Sequence, residues 1–508
     1  MRIGVLGGGP AGLYFALLAK RADPSHEVTV VERNAPDATF GWGVVFSEET
    51  LGALRDADAP SYLEISDTFA RWSAIDVVYG GRTVRSRGHV FSAIARKRLL
   101  EILQRRCRDV GVELEFHTEL PGLDRFAGRD LVVAADGVNS TARRLLAEQL
   151  RPTLDVHRSR YVWLGTDLVL DAFTFVFRTT EHGMFQVHAY PFDAQTSTFI
   201  VECTEATWRR AGLDNAGEEE SIAFCQELFA PELAGHKLLS NRSLWTSFVT
   251  VRCASWHHGD VVLLGDAAHT AHFTIGSGTK LAMEDAVALS GALQRHPGEP
   301  LAAVTDYELE RQPVVERFQE AARASATWFE DVRRYDGFDP VQFAFNLLTR
   351  SGRIGHLELT RRDARFVATV DRFLAGTPAA VAPPPPLLIP LRQREVTMPN
   401  RVALALVGED DADGGRLAEA AERRHLHAAA AGPGVVVSEL VAVAPDGRVT
   451  PGTPGLWEEA HAEPWARVAA ATREHGTRLA VRLGHAGRRG ATRPRRQGVD
   501  RPLAGGGW

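Results

Sequence analysis

Residues 3–12 read IGVLGGGPAG, and this stretch decides the fold. Residues 3–6 are apolar and predict a strand, a glycine-rich turn follows at once, and residues 13–20 continue as a predicted helix. The glycines at positions 7, 9 and 12 have the spacing GxGxxG, which lets the backbone approach a pyrophosphate at the N-terminus of the helix. We therefore predict a Rossmann-like α/β domain that binds a dinucleotide through Gly7, Gly9, Pro10, Ala11 and Gly12.

An acidic residue strengthens this prediction. A second apolar strand over residues 28–31 ends in Glu32, at the spacing from which a carboxylate accepts hydrogen bonds from ribose hydroxyls. The neighbouring Arg33 is also predicted to contact the cofactor. The alternative is a glycine-rich turn in some other α/β protein, but such a turn does not need a strand, a helix and an acid in this order.

Two further motifs follow strands much later in the chain. Residues 131–140 read LVVAADGVNS and are followed by Arg143, and residues 261–280 read VVLLGDAAHTAHFTIGSGTK. A lone Asp-Gly or Gly-Asp after a strand is weak, since turns favour these residues anyway. Their order behind the first motif makes the set of three a strong indication of one shared ligand.

The bulk properties exclude several classes of function. The chain has 508 residues, so two or three domains are expected, and its formal net charge of −6 argues against general nucleic-acid binding. The four cysteines show neither metal-ligand spacing nor a disulfide framework, so we expect a reducing cytoplasm and no metal site. No apolar run has membrane-spanning length and no signal-like segment begins the chain, so we expect a soluble cytoplasmic protein without a membrane partner.

The pattern of apolar residues divides the chain into four parts. Residues 161–164, 173–177 and 198–201 are β-rich and predict an antiparallel sheet. Four consecutive prolines at 383–386 predict an extended linker. The predicted domains are a discontinuous dinucleotide-binding domain at 1–155 and 255–375, a substrate-binding sheet domain at 156–254 with further segments near 70–90, a linker at 376–390, and a separate segment at 391–508.

In this order the three motifs resemble the single-component FAD-dependent aromatic hydroxylases, the para-hydroxybenzoate hydroxylase-like family, over roughly residues 1–375. The resemblance implies that FAD is bound non-covalently. It assigns Asp136 and Gly137 to the second FAD motif and Gly265 and Asp266 to the third, with Asp266 at the ribitol. It also implies that Arg96 lies near the pyrophosphate, a role for which Arg98 competes.

The resemblance extends to the loops beside the flavin ring. Gly43 and Val44 belong to residues 40–47, FGWGVVFS, which correspond to a loop bordering the channel through which the flavin of that family swings. An arginine common in that loop is missing here. Gly276, Ser277 and Gly278 correspond to the turn beside the ring, where backbone N–H groups stabilise negative charge on the reduced flavin.

Residues 272–273 are His-Phe where that family usually has two prolines. With residues 40–47, this departure resembles a narrower group, the monooxygenases of aromatic acyl-CoA thioesters such as salicyl-CoA. The resemblance implies that NADH or NADPH and O2 are used, that a flavin C4a-hydroperoxide hydroxylates the ring, and that the protein positions the ring and excludes water. With the thioester at C1 and a hydroxyl at C2, attack para to the hydroxyl falls on C5 and gives 2,5-dihydroxybenzoyl-CoA (gentisyl-CoA).

Other functions stay open. The substrate is alternatively 2-aminobenzoyl-CoA or a free phenolic acid, and a free carboxylate would require an arginine in the pocket, whereas a thioester would not. A flavin halogenase should have a W-x-W-x-I-P motif, which the sequence lacks. A non-catalytic FAD-fold binding protein is disfavoured by the intact FAD motifs. The sequence does not choose between a monomer and a homodimer.

Alternation along one predicted strand gives the candidate catalytic residues. Gln186, His188 and Tyr190 lie two residues apart and therefore share one face of the sheet. His188 is the predicted acceptor of the phenol proton. The alternative is that His188 has only a structural role in the strand. His272 and Thr274 are further candidates for contact with the substrate. For the CoA phosphates the sequence offers Arg71, Arg82, Arg85, Arg87 and Arg160 without choosing among them.

The C-terminal segment resembles a second family. Residues 398–401 (MPNR), 446–452 (DGRVTPG) and 483–488 (LGHAGR) resemble the start of an old yellow enzyme barrel. A full TIM-type barrel needs about 250 residues, more than the segment 391–508 contains. Arg482 stands where that family usually has a glutamine that contacts FMN. We therefore predict a truncated, partial TIM-barrel-like segment without FMN, and an enzyme that hydroxylates only.

Overall fold

The computed structural model describes residues 1–39, 41–46, 48–276 and 278–490. Internal contacts divide the chain into two units, Met1–Val367 and Ala368–Trp508. Ser277, one of the predicted cofactor contacts, lies outside the described residues, as do Phe40 and Ser47 of the stretch 40–47. The unit boundary falls before the predicted linker at 376–390.

The described part of the chain alternates strands and helices, with bounds as follows. The strands are β1 (Arg2–Leu6), β2 (Glu27–Val31), β3 (Gly43–Phe46), β4 (Ala70–Tyr79), β5 (Arg82–Ala95), β6 (Glu113–Glu115), β7 (Leu131–Ala134), β8 (Pro152–Val156), β9 (Ser159–Thr166), β10 (Phe173–Thr180), β11 (Gly183–Pro191), β12 (Ser197–Thr204), β13 (Leu238–Leu239), β14 (Val249–Cys253), β15 (His257–His258), β16 (Val261–Leu263), β17 (Leu391–Gln393), β18 (Val396–Met398), β19 (Ala403–Ala405), β20 (Val435–Ala442) and β21 (Arg478–Gly484). The helices are α1 (Pro10–Ala22), α2 (Glu48–Ala57), α3 (Ala59–Asp67), α4 (Arg96–Asp109), α5 (Thr141–Leu145), α6 (Ala147–Leu150), α7 (Glu205–Arg210), α8 (Glu218–Leu228), α9 (Ala230–Leu233), α10 (Gly278–Arg295), α11 (Pro300–Glu330), α12 (Pro340–Thr349), α13 (His356–Arg362), α14 (Ala364–Ala375), α15 (Glu419–Ala430) and α16 (Glu459–Glu474).

The first sheet has the order β15-β16-β7-β1-β2-β6, and its strands are parallel apart from β15. Strands β1, β7 and β16 are buried along their length except at the first residue of β1, as expected for a parallel sheet with both faces covered. Because these three strands are parallel neighbours, the loops that follow them meet at one edge. Those loops are the three motifs predicted to share one ligand.

The second sheet has eight strands in the order β13-β9-β12-β11-β10-β4-β5-β3. The prediction of an antiparallel sheet needs one correction, because β4 and β10 pair in parallel. The sheet also starts earlier than predicted, since β3 at Gly43–Phe46 forms its edge. A long connection separates β4 from β10 and brings β10 back in the same direction, which no local pattern shows.

The two faces of this sheet have different roles. On one face Phe185, Val187 and Val201 join a hydrophobic core with α8 and α9. On the other face cross-strand neighbours form rows, and one row runs Phe175, His188, Ile200 and Trp163. Because side chains alternate along a strand, polar residues at every second position of β11 and β12 all point away from the core.

A buried ion network lies beneath the third motif. His269 Nε2 is 2.7 Å from Asp285 Oδ2, and Arg311 Nε donates to Asp285 Oδ1 at 2.8 Å. Asp285 is completely buried on α10, and Arg311 reaches it from α11. His269, Asp285 and Arg311 therefore join the third motif to the two long helices.

The second unit contains three parallel strands, β19, β20 and β21, connected by α15 and α16. Its small core includes Leu417, Val441, Trp465 and Val468. This β-α-β-α-β unit is the predicted partial barrel: three strands form an open sheet, and all three residues of β19 are exposed. None of the helices in the described ranges combines the length and apolarity needed to cross a membrane.

Candidate functional site

A cavity of about 1160 Å³ opens inside the first unit. It is lined by loops from the edge of the parallel sheet and by the polar face of the eight-stranded sheet. Pockets for drug-sized ligands measure about 300–1,000 Å³. The cavity is therefore large enough for an extended cofactor together with a second molecule.

The glycines of the first motif allow backbone segments to pack closely against each other. Gly7 has φ +109°, and a Cβ there would lie 2.3 Å from the carbonyl oxygen of Ala135. A Cβ on Gly12 would lie 2.1 Å from the carbonyl oxygen of Gly7. Gly9 precedes α1 in extended conformation, and Gly9, Pro10 and Ala11 line the cavity. The free N–H groups of the first turn of α1 thus border the cavity, as an anionic ligand requires.

Glu32 and Arg33 lie next to this loop but do not line the cavity. Glu32 accepts hydrogen bonds from the backbone N–H of Gly8 at 2.7 Å and from that of Asn34 at 2.8 Å. The Arg33 side chain is exposed. In this structure Glu32 fixes the glycine loop, and its predicted contact with a ribose stays a prediction.

The second and third motifs are held together by Arg143. It is buried and donates to the backbone carbonyl of Val138 in the second motif and to that of Ala267 in the third, the latter at 2.8 Å. Asp136 Oδ2 accepts from the N–H of Thr141 at 2.6 Å, so Asp136 shapes its own loop. Gly137 has φ +79° and lines the cavity.

Two charged residues of opposite sign line the cavity at these loops. The Asp266 carboxyl is accessible from the cavity but otherwise surrounded by protein, and this burial raises its pKa against the opposing effect of His269 and Arg96. Arg96 Nε is buried without a hydrogen-bond partner, and burial lowers the pKa of the guanidinium. Arg98 pairs with Glu64 at 3.0 Å instead. A guanidinium whose Nε has no hydrogen-bond partner among the described residues, beside a glycine loop and a helix N-terminus, fits the pyrophosphate of a dinucleotide.

The remaining predicted cofactor contacts surround the same space. Gly43, Val44, Gly276 and Gly278 line the cavity, and α10 begins at Gly278. Gly276 has φ +63°, a conformation that favours glycine. Gly265 does not line the cavity but lets the third motif pack on Ala11, since a Cβ there would lie 3.2 Å from the Ala11 side chain.

The sheet provides the opposite wall. His188 and Tyr190 line the cavity, whereas Gln186 does not, because its Nε2 donates to the backbone carbonyl of Phe329 at 3.2 Å. The Tyr190 hydroxyl donates to the carbonyl of Gly43 at 3.0 Å, and burial raises its pKa to about 12. Gln186 thus anchors α11, and Tyr190 joins β11 to the predicted flavin loop.

His188 forms a buried pair with Glu202. Its Nε2 lies 2.9 Å from Glu202 Oε2, and the two side chains are 2% and 1% exposed. Burial lowers the pKa of His188, Glu202 opposes this effect, and Arg350 adds to it. A carboxylate at Nε2 fixes the proton on that atom and leaves Nδ1 as an acceptor. Sequence reasoning missed Glu202, although an acid inside the apolar stretch 198–203 was a usable signal.

His272 does not line the cavity. Its ring lies 4.7 Å from the ring of His157 and 4.8 Å from that of Phe248, and burial holds its pKa well below the usual value. Its Nδ1 lies 3.2 Å from Thr274 Oγ1. Phe273 and Thr274 line the cavity instead, so His272 supports the turn from behind.

Arg350, which sequence reasoning missed, also lines the cavity. Its Nη2 donates to the Thr274 carbonyl at 2.6 Å, and its other two hydrogen bonds go to Ser325 Oγ and the Leu347 carbonyl at 2.8 Å each. Its Cζ lies 5.3 Å from the ring centre of Phe175. Burial lowers its pKa to about 10. No local sequence signal shows that an arginine after α12 reaches this site.

The arginines predicted for the CoA phosphates do not line the cavity. Four of them are bound elsewhere: Arg71 to the Ser66 carbonyl, Arg82 to Asp339, Arg85 to Asp76 and Asp171, and Arg160 to Glu205. Arg87 is exposed and lies next to the cavity-lining Gly88. The arginines that do line the cavity are Arg96, Arg350, Arg353 and Arg362.

Comparisons with known proteins agree with this geometry. Residues 1–322 match the FAD binding domain family, and residues 386–504 match the NADH:flavin oxidoreductase / NADH oxidase family. The chain is 43% identical over 421 residues to salicyloyl-CoA 5-hydroxylase of a Streptomyces species, covering 81% of this chain and 80% of that protein. It is 38% identical over 359 residues to 3-hydroxy-4-methyl-anthranilyl-[aryl-carrier protein] 5-monooxygenase of Streptosporangium sibiricum, covering 71% and 97%. The solved structure of 2-methyl-3-hydroxypyridine-5-carboxylic acid oxygenase has the same fold, with a TM-score of 0.56, 19% identity, and coverage of 71% of this chain and 97% of that one.

Proposed function

The chain belongs to the FAD-binding-domain family of aromatic monooxygenases, and on this premise we propose that it hydroxylates an aromatic acyl-CoA thioester, salicyl-CoA at C5. The observation that supports the proposal most is the single cavity, which joins the three FAD motifs to an aromatic wall containing His188. A cofactor and a flat aromatic substrate can therefore occupy one continuous space. NADH or NADPH is the proposed reductant and O2 the proposed oxidant.

The residues present fit FAD. The N–H groups at the start of α1 and the unpaired Arg96 would bind the pyrophosphate, Asp266 would bind the ribitol, and the N–H groups near Gly278 would face the ring. FAD, when bound, supplies the reduced flavin that activates O2 for insertion into the substrate ring. The protein positions both molecules and excludes water.

The substrate wall suits a phenol. Phe173, Phe175 and Tyr190 offer flat apolar surface on neighbouring strands, and the Phe273 ring of the third motif lies 5.4 Å from the ring of His188. His188 Nδ1 would accept the proton of the C2 hydroxyl, and Glu202 would stabilise the resulting imidazolium. Loss of that proton increases electron density at the para carbon, C5, where oxygen is inserted.

Arg350 favours a second candidate substrate, a free phenolic acid, because an arginine does line the cavity. However, its guanidinium already donates three hydrogen bonds to Ser325, Leu347 and Thr274. Three of its five N–H donors are therefore already engaged, which leaves at most two for a substrate carboxylate. The thioester remains the better supported substrate.

The experiment is an assay of the purified protein with FAD. We expect salicyl-CoA to stimulate NADH or NADPH oxidation and to yield 2,5-dihydroxybenzoyl-CoA in proportion to the O2 consumed. Salicylate and 2-aminobenzoyl-CoA serve as the competing substrates. Failure of every thioester to stimulate oxidation would overturn the proposal, and stimulation by salicylate alone would favour the free acid.

We also propose that the second unit binds no FMN. Its described part has three parallel strands, and Arg482 is exposed on β21. Denaturing the purified protein is therefore expected to release FAD at about one per chain and no FMN, as measured by chromatography of the supernatant. FMN in equal amount to the protein would contradict this.

A further inference from the structure

Where the cavity opens, it is lined by positively charged side chains that the proposed FAD site and the aromatic wall do not use. The segment after α12 runs outward: Arg350 and Ser351 are half-buried, Arg353 is exposed, and all three line the cavity. Exposed Gly88 and Val90 of β5 line it as well. The cavity therefore reaches solvent between β5 and the residues that follow α12.

Resting on the proposed function, we propose that Arg353 and Arg362 bind the phosphates of the CoA nucleotide at this opening. The ligand class is an adenosine 3′-phosphate 5′-diphosphate, attached through a pantetheine arm to an aromatic acyl group in the cavity. The site is distinct from the arginines that the sequence alone suggested.

Arg353 has the properties of a phosphate ligand. Its Cζ lies 4.4 Å above the Phe318 ring, which holds the planar group flat. Within the described part of the chain no carboxylate lies within salt-bridge distance of it. An exposed guanidinium already oriented by an aromatic ring loses little freedom when it binds a phosphate.

Arg362 lies beside Gly88 of β5 and also lines the cavity. Its Nε donates to Glu358 Oε1 at 3.1 Å, which orients the side chain at the end of α13. Gly88 lets α13 approach β5, because a Cβ there would lie 2.2 Å from the Arg362 carbonyl oxygen. In this region the cavity lining contains two positively charged side chains, Arg353 and Arg362, and one carboxylate, Glu358. The opening therefore has an excess of positive charge for an anion to neutralise.

The pantetheine arm, which connects the nucleotide to the acyl group, also fits the cavity wall. Val90 and Ile354 line the cavity near the opening and offer apolar contact, while Ser351 offers a hydroxyl. A pantetheine arm alternates apolar carbons with amides and matches such a mixed wall. The bulky, charged nucleotide would remain near the surface, where exposed arginines can reach it.

The test compares salicyl-CoA with salicyl-pantetheine, which keeps the thioester but lacks the nucleotide. In Arg353→Ala/Arg362→Ala we expect the KM for salicyl-CoA to rise about a hundredfold, since each lost charged hydrogen bond costs about a factor of ten. The KM for salicyl-pantetheine and kcat for both substrates should stay unchanged. Arg361→Ala is the matched control, because Arg361 lies on α13, pairs with Glu358 at 3.6 Å and does not line the cavity.

Direct binding of CoA to the FAD-loaded enzyme keeps this inference separate from the proposed function. Calorimetry should show CoA binding to the wild type that weakens in the double variant and at high salt. Equal CoA affinity in the wild type and the double variant, or an equal rise in KM for both thioesters, overturns the inference. Wild-type enzyme that binds CoA through these arginines without oxidising NADH or NADPH would overturn only the proposed function.

Discussion

Replacing His188 with alanine is expected to lower kcat with salicyl-CoA by about 10²–10⁴-fold, the usual contribution of a general base. His188 lines the cavity, and its Nε2 is 2.9 Å from the buried Glu202, so Nδ1 is the atom available for the phenol proton. FAD content should stay at the wild-type level because His188 does not belong to the three FAD motifs. Single-turnover kinetics with pre-reduced enzyme measure the hydroxylation step itself.

The pH profile separates a base from a structural histidine. Since burial lowers the pKa of His188, the neutral form persists below the ordinary titration range, and kcat should fall only on the acid side. Glu202 raises this pKa, so Glu202→Gln should move the acid limb to lower pH as well as reduce kcat. His236→Ala is the control, because that histidine also pairs with an acid, Asp167 at 3.2 Å, but is 43% exposed. An unchanged profile in His188→Ala would mean that the residue is structural.

Replacing Asp285 with alanine is expected to lower the free energy of unfolding by about 3–5 kcal/mol, the cost of removing one partner of a buried ion pair. Asp285 is fully buried and accepts from His269 and Arg311, so its loss leaves Arg311 with Glu284 alone at 3.2 Å. Urea unfolding of the FAD-loaded full chain, followed by flavin and tryptophan fluorescence, measures the change.

Asp285 should also make the free energy of unfolding depend on pH. His269 and Arg311 hold the pKa of Asp285 below its usual range although burial opposes them. A lowered carboxyl pKa stabilises the fold above the unfolded-state pKa, and this contribution is lost as pH falls through the folded-state pKa. Asp285→Ala should therefore be less sensitive to acid than the wild type. Asp306→Asn, which removes an exposed pair with Arg295, should leave the unfolding midpoint nearly unchanged, and an equal loss in both variants would contradict the network.

The sequence was sufficient for the fold class, for the family and for the shared edge of the three motifs. A strand followed by GxGxxG fixes a parallel βαβ unit, and parallel neighbours place their following loops together whatever their distance along the chain. The family of the C-terminal segment was also predicted correctly, since it depends on short motifs that the sequence shows directly. The parallel pairing of β4 with β10 was not predicted, because it depends on how a long connection packs and not on the pattern within either strand.

The candidate site was predictable only where a periodic pattern fixes the direction of side chains. Alternation along β11 put His188 and Tyr190 on the cavity face, but it could not show that Gln186 reaches the Phe329 carbonyl instead. The sequence predicts that His272 contacts the substrate, because the residue is unusual in the third motif. In the structure, its ring packs against the rings of His157 and Phe248, behind the turn. Arg350 and Arg353 enter from a segment far from any motif, so only tertiary packing reveals them.

The cavity wall extends along the chain from Gly9 to Arg362, which has a consequence for biosynthesis. At about 5–20 residues per second, a ribosome needs roughly 20–70 s to synthesise that much chain. β7 is complete after roughly a third of this interval and β16 after roughly three quarters of it, so the edge that joins the three motifs forms late in synthesis. A ligand that binds only the finished fold stabilises it by mass action. We therefore expect FAD to stabilise this chain only after the residues up to Arg362 have been synthesised.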